Sequence, residues 1–323
     1  TTVLERFENY FQTGADGKPL PYLDGLVGLP RKEDRVRLTA LRTGEAHLIE
    51  NMAYADGATF AQKYGDQFNV HPVPQVGTAY IAFNLKNGPF AYGTPGSDDL
   101  RRAVGHAFDH QAVHEAIFNG LSDFATGFYS KASSWYMPEA KPWPAYDPDK
   151  AKFHMKKAKY DGTKILLVSR QEYSYMHQTG ELLHSMLTDV GFKVQHDIQP
   201  NSVLRAKYRK GEWMLDSTAN SYRPDPDGWF SRNILSTAAS TKLRTNYNNP
   251  KVDKLILEAR ATLDKEKRRQ MYIEVEGILN EELPVLYSHF VPLTGASVKT
   301  LKDYQPSFPG PFSYVGGGMR QAW

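Results

Sequence analysis

Between Lys164 and Asp216 the chain switches repeatedly between strand and helix patterns, and this restricts its fold more than any other feature. Lys164–Ser169 (KILLVS) is a short apolar run, the pattern of a buried strand. Thr179–Val190 has helical periodicity and stops at Gly191. Phe192–Gln195 is strand-like, Val203–Arg209 is a short helix, and Trp213–Asp216 is a third strand. Strands separated by helices pair through crossovers, which run them parallel. The expectation is an α/β lobe with a largely parallel sheet.

Upstream, Tyr22–Leu29 reads as a strand, Lys32–Thr43 as a surface helix ending at Gly44, Ala46–Ile49 as a strand and Asp56–Tyr64 as a helix. Pro72 and Pro74 separate these from a β-prone run at Ala79–Asn84. Asp98–Asn119 is predicted as one long helix stopped by Gly120. Residues 122–146 are rich in aromatics and proline with little periodicity, and Asp147-Pro148 opens another helix. Helices are expected at Lys251–Asp264 and Lys265–Glu282, with Pro284 as the stop. The tail from Val285 is strand-like, then rich in proline and glycine.

Composition removes several function classes. Lysine plus arginine is 39 and aspartate plus glutamate is 36, a formal charge of +3. The basic residues are scattered and matched by acids, so no nucleic-acid partner is expected. With no cysteine, thiolate metal sites and cysteine catalysis are excluded. No run approaches the ~18 apolar residues of a membrane span. Thr1–Tyr10 lacks the apolar core of a secretory signal, so any targeting segment is expected to lie outside this chain.

Four stretches carry a resemblance to a known family. One is Phe83-Asn84 with Pro89-Phe90, Leu100-Arg101-Arg102-Ala103-Val104 and Ala107-Phe108-Asp109-His110. Tyr146-Asp147-Pro148-Asp149-Lys150-Ala151-Lys152 is another. The Lys164–Asp216 unit, ending Arg209-Lys210-Gly211-Glu212-Trp213-Met214-Leu215-Asp216, is the third. The fourth runs from Asn246-Tyr247-Asn248-Asn249-Pro250 to Glu282-Leu283-Pro284-Val285. In this order they resemble the bacterial extracellular solute-binding proteins of ABC importers, family 5, which include oligopeptide, dipeptide and nickel binders. The resemblance implies a periplasmic-binding-protein-like two-lobe α/β fold (type II, large peptide-binder type), with part of the first lobe missing. It assigns residues 1–79 and 292–323 to the first lobe and 80–291 to the second. It further implies a periplasmic monomer that closes on a peptide, opine-like or sugar solute and delivers it to ABC importer permease subunits, with no cofactor.

The richest candidate site is Asn220–Phe230, which places Tyr222, Arg223, Asp225, Asp227 and Trp229 after a predicted strand. Loops at the carboxyl ends of parallel strands are where α/β folds bind ligands. The resemblance puts a peptide-anchoring aspartate of the family at Tyr222. A phenol cannot supply that charge, so a free-peptide ligand is disfavoured. Tyr222 and Trp229 suit stacking on a flat solute, and Arg223 suits an acidic group. Asp225 and Asp227 have an alternative role as turn or helix caps, and Trp229 as core. A second candidate is the segment Arg170–His177, read as a loop, with Arg170, Tyr173, Tyr175 and His177. A third is Trp135 in the aromatic segment.

His106, His110 and His114 fall four residues apart on the predicted long helix and are read as a solvated face with no metal. An enzyme is the rival class. A hydrolase acting on a sugar or peptide would need carboxylates flanking its substrate, and Asp225 and Asp227 are too close in sequence for that. No nucleophile elbow or phosphate loop is present, and Gly316-Gly317-Gly318 has no helix after it.

Overall fold

Structure is described, in a computed structural model, for residues 1–31, 33–50, 52–140, 145–306, 319 and 322–323. Gly316–Gly318 and most of the glycine-rich tail lie outside the described residues. The chain divides into two units, Thr1–Val76 with Val291–Trp323, and Gly77–Phe290.

In the first unit, β1 (Thr2–Glu5) and β2 (Gly25–Gly28) form an antiparallel ribbon. Then follow α1 (Asp34–Arg42), β3 (Leu48–Ile49), α2 (Tyr54–Tyr64) and the start of β4 (Phe68–Phe83). The core of this unit is Leu41, Ile49, Met52, Phe60, Phe68 and Ala296. Contrary to expectation, β4 runs straight through Pro72 and Pro74. Its register with β8 starts at Gly77, beyond both prolines.

The second unit holds α3 (Ser97–Ala107), α4 (His110–Ala116), β5 (Asp123–Phe124), α5 (Pro148–Lys157), β6 (Ile165–Arg170), α6 (Ser174–Val190), β7 (Val194–Gln199), α7 (Asn201–Lys210) and β8 (Leu215–Ser221). It continues with α8 (Asp227–Asn233), α9 (Ala239–Leu243), α10 (Pro250–Ala261), α11 (Lys265–Glu282) and the start of β9 (Val285–Val298), while the end of β9 belongs to the first unit and pairs β3 there. The main sheet has the order β3-β9-β4-β8-β6-β7, with β5 on β9.

The largely parallel sheet proves to be mixed. Among the described pairings, β6–β7 and β6–β8 are parallel, whereas β4–β8, β5–β9 and β3–β9 are antiparallel. The strand–helix alternation dictated the crossovers around β6 but said nothing about β4 and β9, which join from distant parts of the chain. α6 carries the chain from β6 to β7 on one side. α7 carries it back past β6 to β8 on the other. The order therefore reverses at β6, which makes the β6/β8 boundary a topological switch point.

The predicted long helix breaks at Phe108-Asp109. Phe108 adopts an extended conformation, and the Asp109 side chain accepts the Ala112 N–H at 3.0 Å to start a new helix. The three histidines therefore do not share a solvated face. His106 Nδ1 lies 3.0 Å from Ala145 O, His110 Nε2 3.1 Å from Tyr287 O, and His114 Nδ1 3.2 Å from Ser122 Oγ. Among the described residues no group of three or more histidines and acids is arranged to hold a metal. No described helix is long and apolar enough to cross a membrane.

Candidate functional site

Three elements converge at the carboxyl edge of the parallel strands. The register Ser169↔Ser217 places the end of β6 beside the start of β8, which runs on to Ser221. The helices that follow depart to opposite faces of the sheet. Ser217 Oγ donates to Met176 O of α6 at 2.7 Å on one face. Tyr80, paired with Thr218 and so on the other face, meets Trp229 of α8 edge-on at 5.4 Å. In open α/β sheets, loops that diverge in this way are where ligands commonly bind. The third element is the segment 125–140, which lies against the loop after β8.

That loop is shorter than the sequence implies. β8 extends to Ser221 and α8 starts at Asp227, leaving Tyr222–Pro226 irregular. The polar run Ser217–Ser221 hid the strand because it lacks an apolar alternation. Tyr222 is half-buried, its hydroxyl 3.1 Å from Ser133 Oγ and its ring edge-on to Tyr129 at 5.8 Å. Arg223 lays its aliphatic stem against Gly228, where a Cβ would come within 3.2 Å of the arginine Cβ.

The two carboxylates are already engaged. Arg268 of α11 donates to both Asp225 oxygens, at 2.8 and 2.9 Å, while Asp225 Oδ1 accepts the Asp227 N–H at 2.9 Å. Burial opposes ionisation of Asp225, but the Arg268 and Asp227 bonds outweigh it and hold its pKa below the usual carboxylate range. Asp227 Oδ1 accepts from Arg260 Nε at 2.9 Å and from Ser231 Oγ. These acids thus tie the start of α8 to α10 and α11.

The tryptophans are also occupied. Trp229 is 1% exposed, stacked on Phe128 at 4.1 Å, with Nε1 3.3 Å from the Tyr287 hydroxyl. It sits in the core, with one ring face covered by Phe128. Trp135 is 6% exposed, with the Arg268 guanidinium 5.1 Å and the Lys265 ammonium 5.2 Å from its ring centre. Trp135 therefore joins the site through Arg268, which links it to Asp225.

At the end of β6, Arg170 is half-buried, and its Nε is enclosed without a hydrogen-bond partner. The stretch 170–177 is mostly not a loop. α6 begins at Ser174, with Tyr173 at the cap position and 49% exposed. Tyr175 packs near Phe118 at 6.1 Å, and His177 Nδ1 lies 3.9 Å from Glu181 Oε1 one turn on. The serine and tyrosines of this turn lack the apolar periodicity that marked the rest of the helix.

Sequence reasoning missed buried polar groups around β8 and α11. Asp216 is fully buried and ion-paired with Arg244, and it accepts from the Tyr208 hydroxyl at 2.9 Å. Asn220 donates to the Tyr80 hydroxyl. Glu276, fully buried on α11, accepts the Phe128 N–H at 2.9 Å, and Asn280 Nδ2 donates to Thr126 O at 3.0 Å. Burial pushes the Glu276 carboxyl up to about 7, against the opposing pull of the Phe128 N–H and the Tyr287 hydroxyl. The signal available in the sequence was acids and amides at heptad-like core positions of α11, Glu276 and Asn280 lying four residues apart.

The mixed sheet with its crossovers about β6 is the fold of large solute-binding proteins. The profile of the bacterial extracellular solute-binding proteins, family 5 Middle, matches residues 1–242, and the chain belongs to that family. It is 26% identical over 317 residues to the glutathione-binding protein GsiB of Salmonella paratyphi A, covering 93% of this chain and 58% of that relative. The fold is also that of the oligopeptide-binding protein AppA from Bacillus subtilis in complex with a nonapeptide, at a TM-score of 0.80 and 20% identity, over 99% of this chain and 63% of that one. NikA from Staphylococcus aureus in complex with Ni(L-His)2 matches at a TM-score of 0.76 and 20% identity, over 95% and 63%. This chain thus spans 58% of the length of the curated relative. The relatives are named as binding proteins, for glutathione in GsiB and for oligopeptides in AppA.

Proposed function

We propose that this chain is the solute-binding part of a periplasmic receptor that, as a monomer, delivers its ligand to the permease subunits of an ABC importer. The units 1–76 with 291–323 and 77–290 correspond, on this reading, to the family's first lobe and its second α/β lobe. The solute seats in the crevice between the ends of β6 and β8, with Tyr222, Arg223 and Arg170 as its contacts. It carries an anionic group.

One observation carries this reading. Among the described residues, Arg170 and Arg223 are the half-buried arginines that have neither an acid nor a hydrogen-bond acceptor in reach. A partly desolvated guanidinium with no partner is costly unless a ligand supplies the acceptor. Arg170 is the last residue of β6 and Arg223 lies in the loop after β8, its parallel neighbour. The engagement of Asp225 and Asp227 by arginines leaves no free carboxylate in the loop to hold an ammonium group.

The test is a thermal-shift and calorimetric panel of acidic, neutral and cationic peptides, opines and sugars. Acidic solutes should bind, and Arg170→Gln and Arg223→Gln should each weaken binding roughly tenfold or more, the loss expected for one charge-assisted hydrogen bond. Tyr222→Ala should weaken it too. Tight binding of a neutral or cationic solute that ignores all three substitutions would move the site elsewhere.

A further inference from the structure

At the opposite edge of the same sheet, before β8, the second unit has a pocket of about 100 Å³. Its wall includes Lys86, Arg209, Lys210, Lys242, Arg244 and the buried Trp213. These cations come from separate places: the turn after β4, the last turn of α7 and the last turn of α9. Helix C-termini favour cations, which accounts for Arg209, Lys210 and Lys242 one at a time. It does not account for their meeting Lys86 around one concavity.

The charge of the wall is poorly balanced. Arg244 is neutralised by the buried Asp216, and Lys210 has a loose contact of 3.9 Å with Glu212. Among the described residues, Lys86, Arg209 and Lys242 have no acid within ion-pair distance. Asn84 holds the rim in place: its side-chain oxygen accepts the N–H groups of Lys86 and Asn87 at 3.0 and 3.1 Å, and its amide donates to Trp213 O at 2.9 Å. A cavity of this volume has room for a tetrahedral oxyanion. A low-dielectric wall formed by Trp213 and Tyr208 on one side strengthens the field of the cations at such a point.

We propose that this pocket is an anion-binding site for a phosphate group, separate from the solute crevice. The group comes either from free phosphate or from an anionic lipid headgroup at a membrane surface. The proposal does not rest on the identity of the transported solute.

The experiment titrates inorganic phosphate calorimetrically into the protein at low ionic strength. In parallel, the protein is sedimented with phosphatidylglycerol vesicles and with phosphatidylcholine vesicles. Lys86→Glu with Lys242→Glu is the diagnostic variant. Both side chains are exposed, so its melting temperature should match that of the parent. Saturable phosphate binding that falls tenfold or more in this variant, and persists in Arg170→Gln/Arg223→Gln, supports the site with free phosphate as its ligand. Capture by phosphatidylglycerol vesicles alone, lost in the lysine variant, supports the site with lipid as its source. If neither phosphate nor phosphatidylglycerol binds the parent, or if binding survives in the lysine variant, the proposal is overturned.

Discussion

Replacing Glu276 with glutamine should make the protein more stable at alkaline pH and leave it nearly unchanged in mild acid. Its carboxyl is fully buried, and burial lifts its pKa from 4.5 to about 7. That difference corresponds to roughly 3 kcal/mol, because each tenfold change in proton affinity is about 1.4 kcal/mol. The folded chain holds this proton more tightly than the unfolded chain does. The stability it contributes is therefore fully present below pH 4.5 and is lost as the pH rises through 7. Glutamine cannot ionise, yet it keeps an oxygen to accept the Phe128 N–H. At pH 8, Glu276→Gln should exceed the parent by up to ~3 kcal/mol, and the gap should close towards pH 5. Other groups also make stability depend on pH. Burial lifts Glu50 to about 7, and it depresses His196 to about 4 and His289 to about 3, so the histidines act with the opposite sign. They are present in both proteins and cancel in the difference. The assay is urea unfolding at half-unit steps of pH, followed by tryptophan fluorescence, to which Trp229 on Phe128 contributes. A stability difference that stays constant from pH 5 to pH 8 would refute the argument.

Two further predictions concern the framework of the site. Arg244→Ala strands the buried Asp216 carboxylate and should cost about 3–5 kcal/mol, whereas Asp216→Leu with Arg244→Met should recover most of that loss; chemical denaturation of the single and double variants measures both. Asp109→Ala removes the cap of α4 and should cost about 1 kcal/mol, with faster amide exchange at Ala112 as the local sign.

Much of the crossover region was legible because its signals are local. Asp147 and Asn249 cap helices that begin with proline, as their sequences imply, accepting the Lys150 N–H at 3.0 Å and the Lys251 N–H at 2.9 Å. The failures share a cause as well. The segment Ser217–Ser221 is a strand because β4 pairs with it along its whole length, and no pattern of its own requires that. Tyr173–His177 begins a helix whose first turn has no apolar stripe. Phe108 breaks a helical pattern because its side chain is fully buried and Asp109 offers a competing cap. The candidate residues Tyr222, Arg223 and Arg170 were visible as chemistry after strands. Trp229 and Trp135 were visible too, but whether an aromatic ring faces solvent or the core depends on neighbours more than a hundred residues away in some cases, as with Lys265 and Arg268 over Trp135.

By itself the sequence determined the crossover unit from β6 to β8, the family pattern and the loops where chemistry would gather, since these follow from periodicity, caps and short motifs. Tertiary structure alone decided the reversal of strand order at β6, because pairing partners are chosen by packing between distant segments. It alone decided which charges are consumed and which are left over. Asp225 and Asp227 meet arginines from α10 and α11, while Arg170 and Arg223 meet none, and Lys86, Arg209 and Lys242 converge on one pocket. Ion pairing depends on distances of a few ångströms between residues far apart in the chain, and a count of charges along the sequence carries no record of those distances.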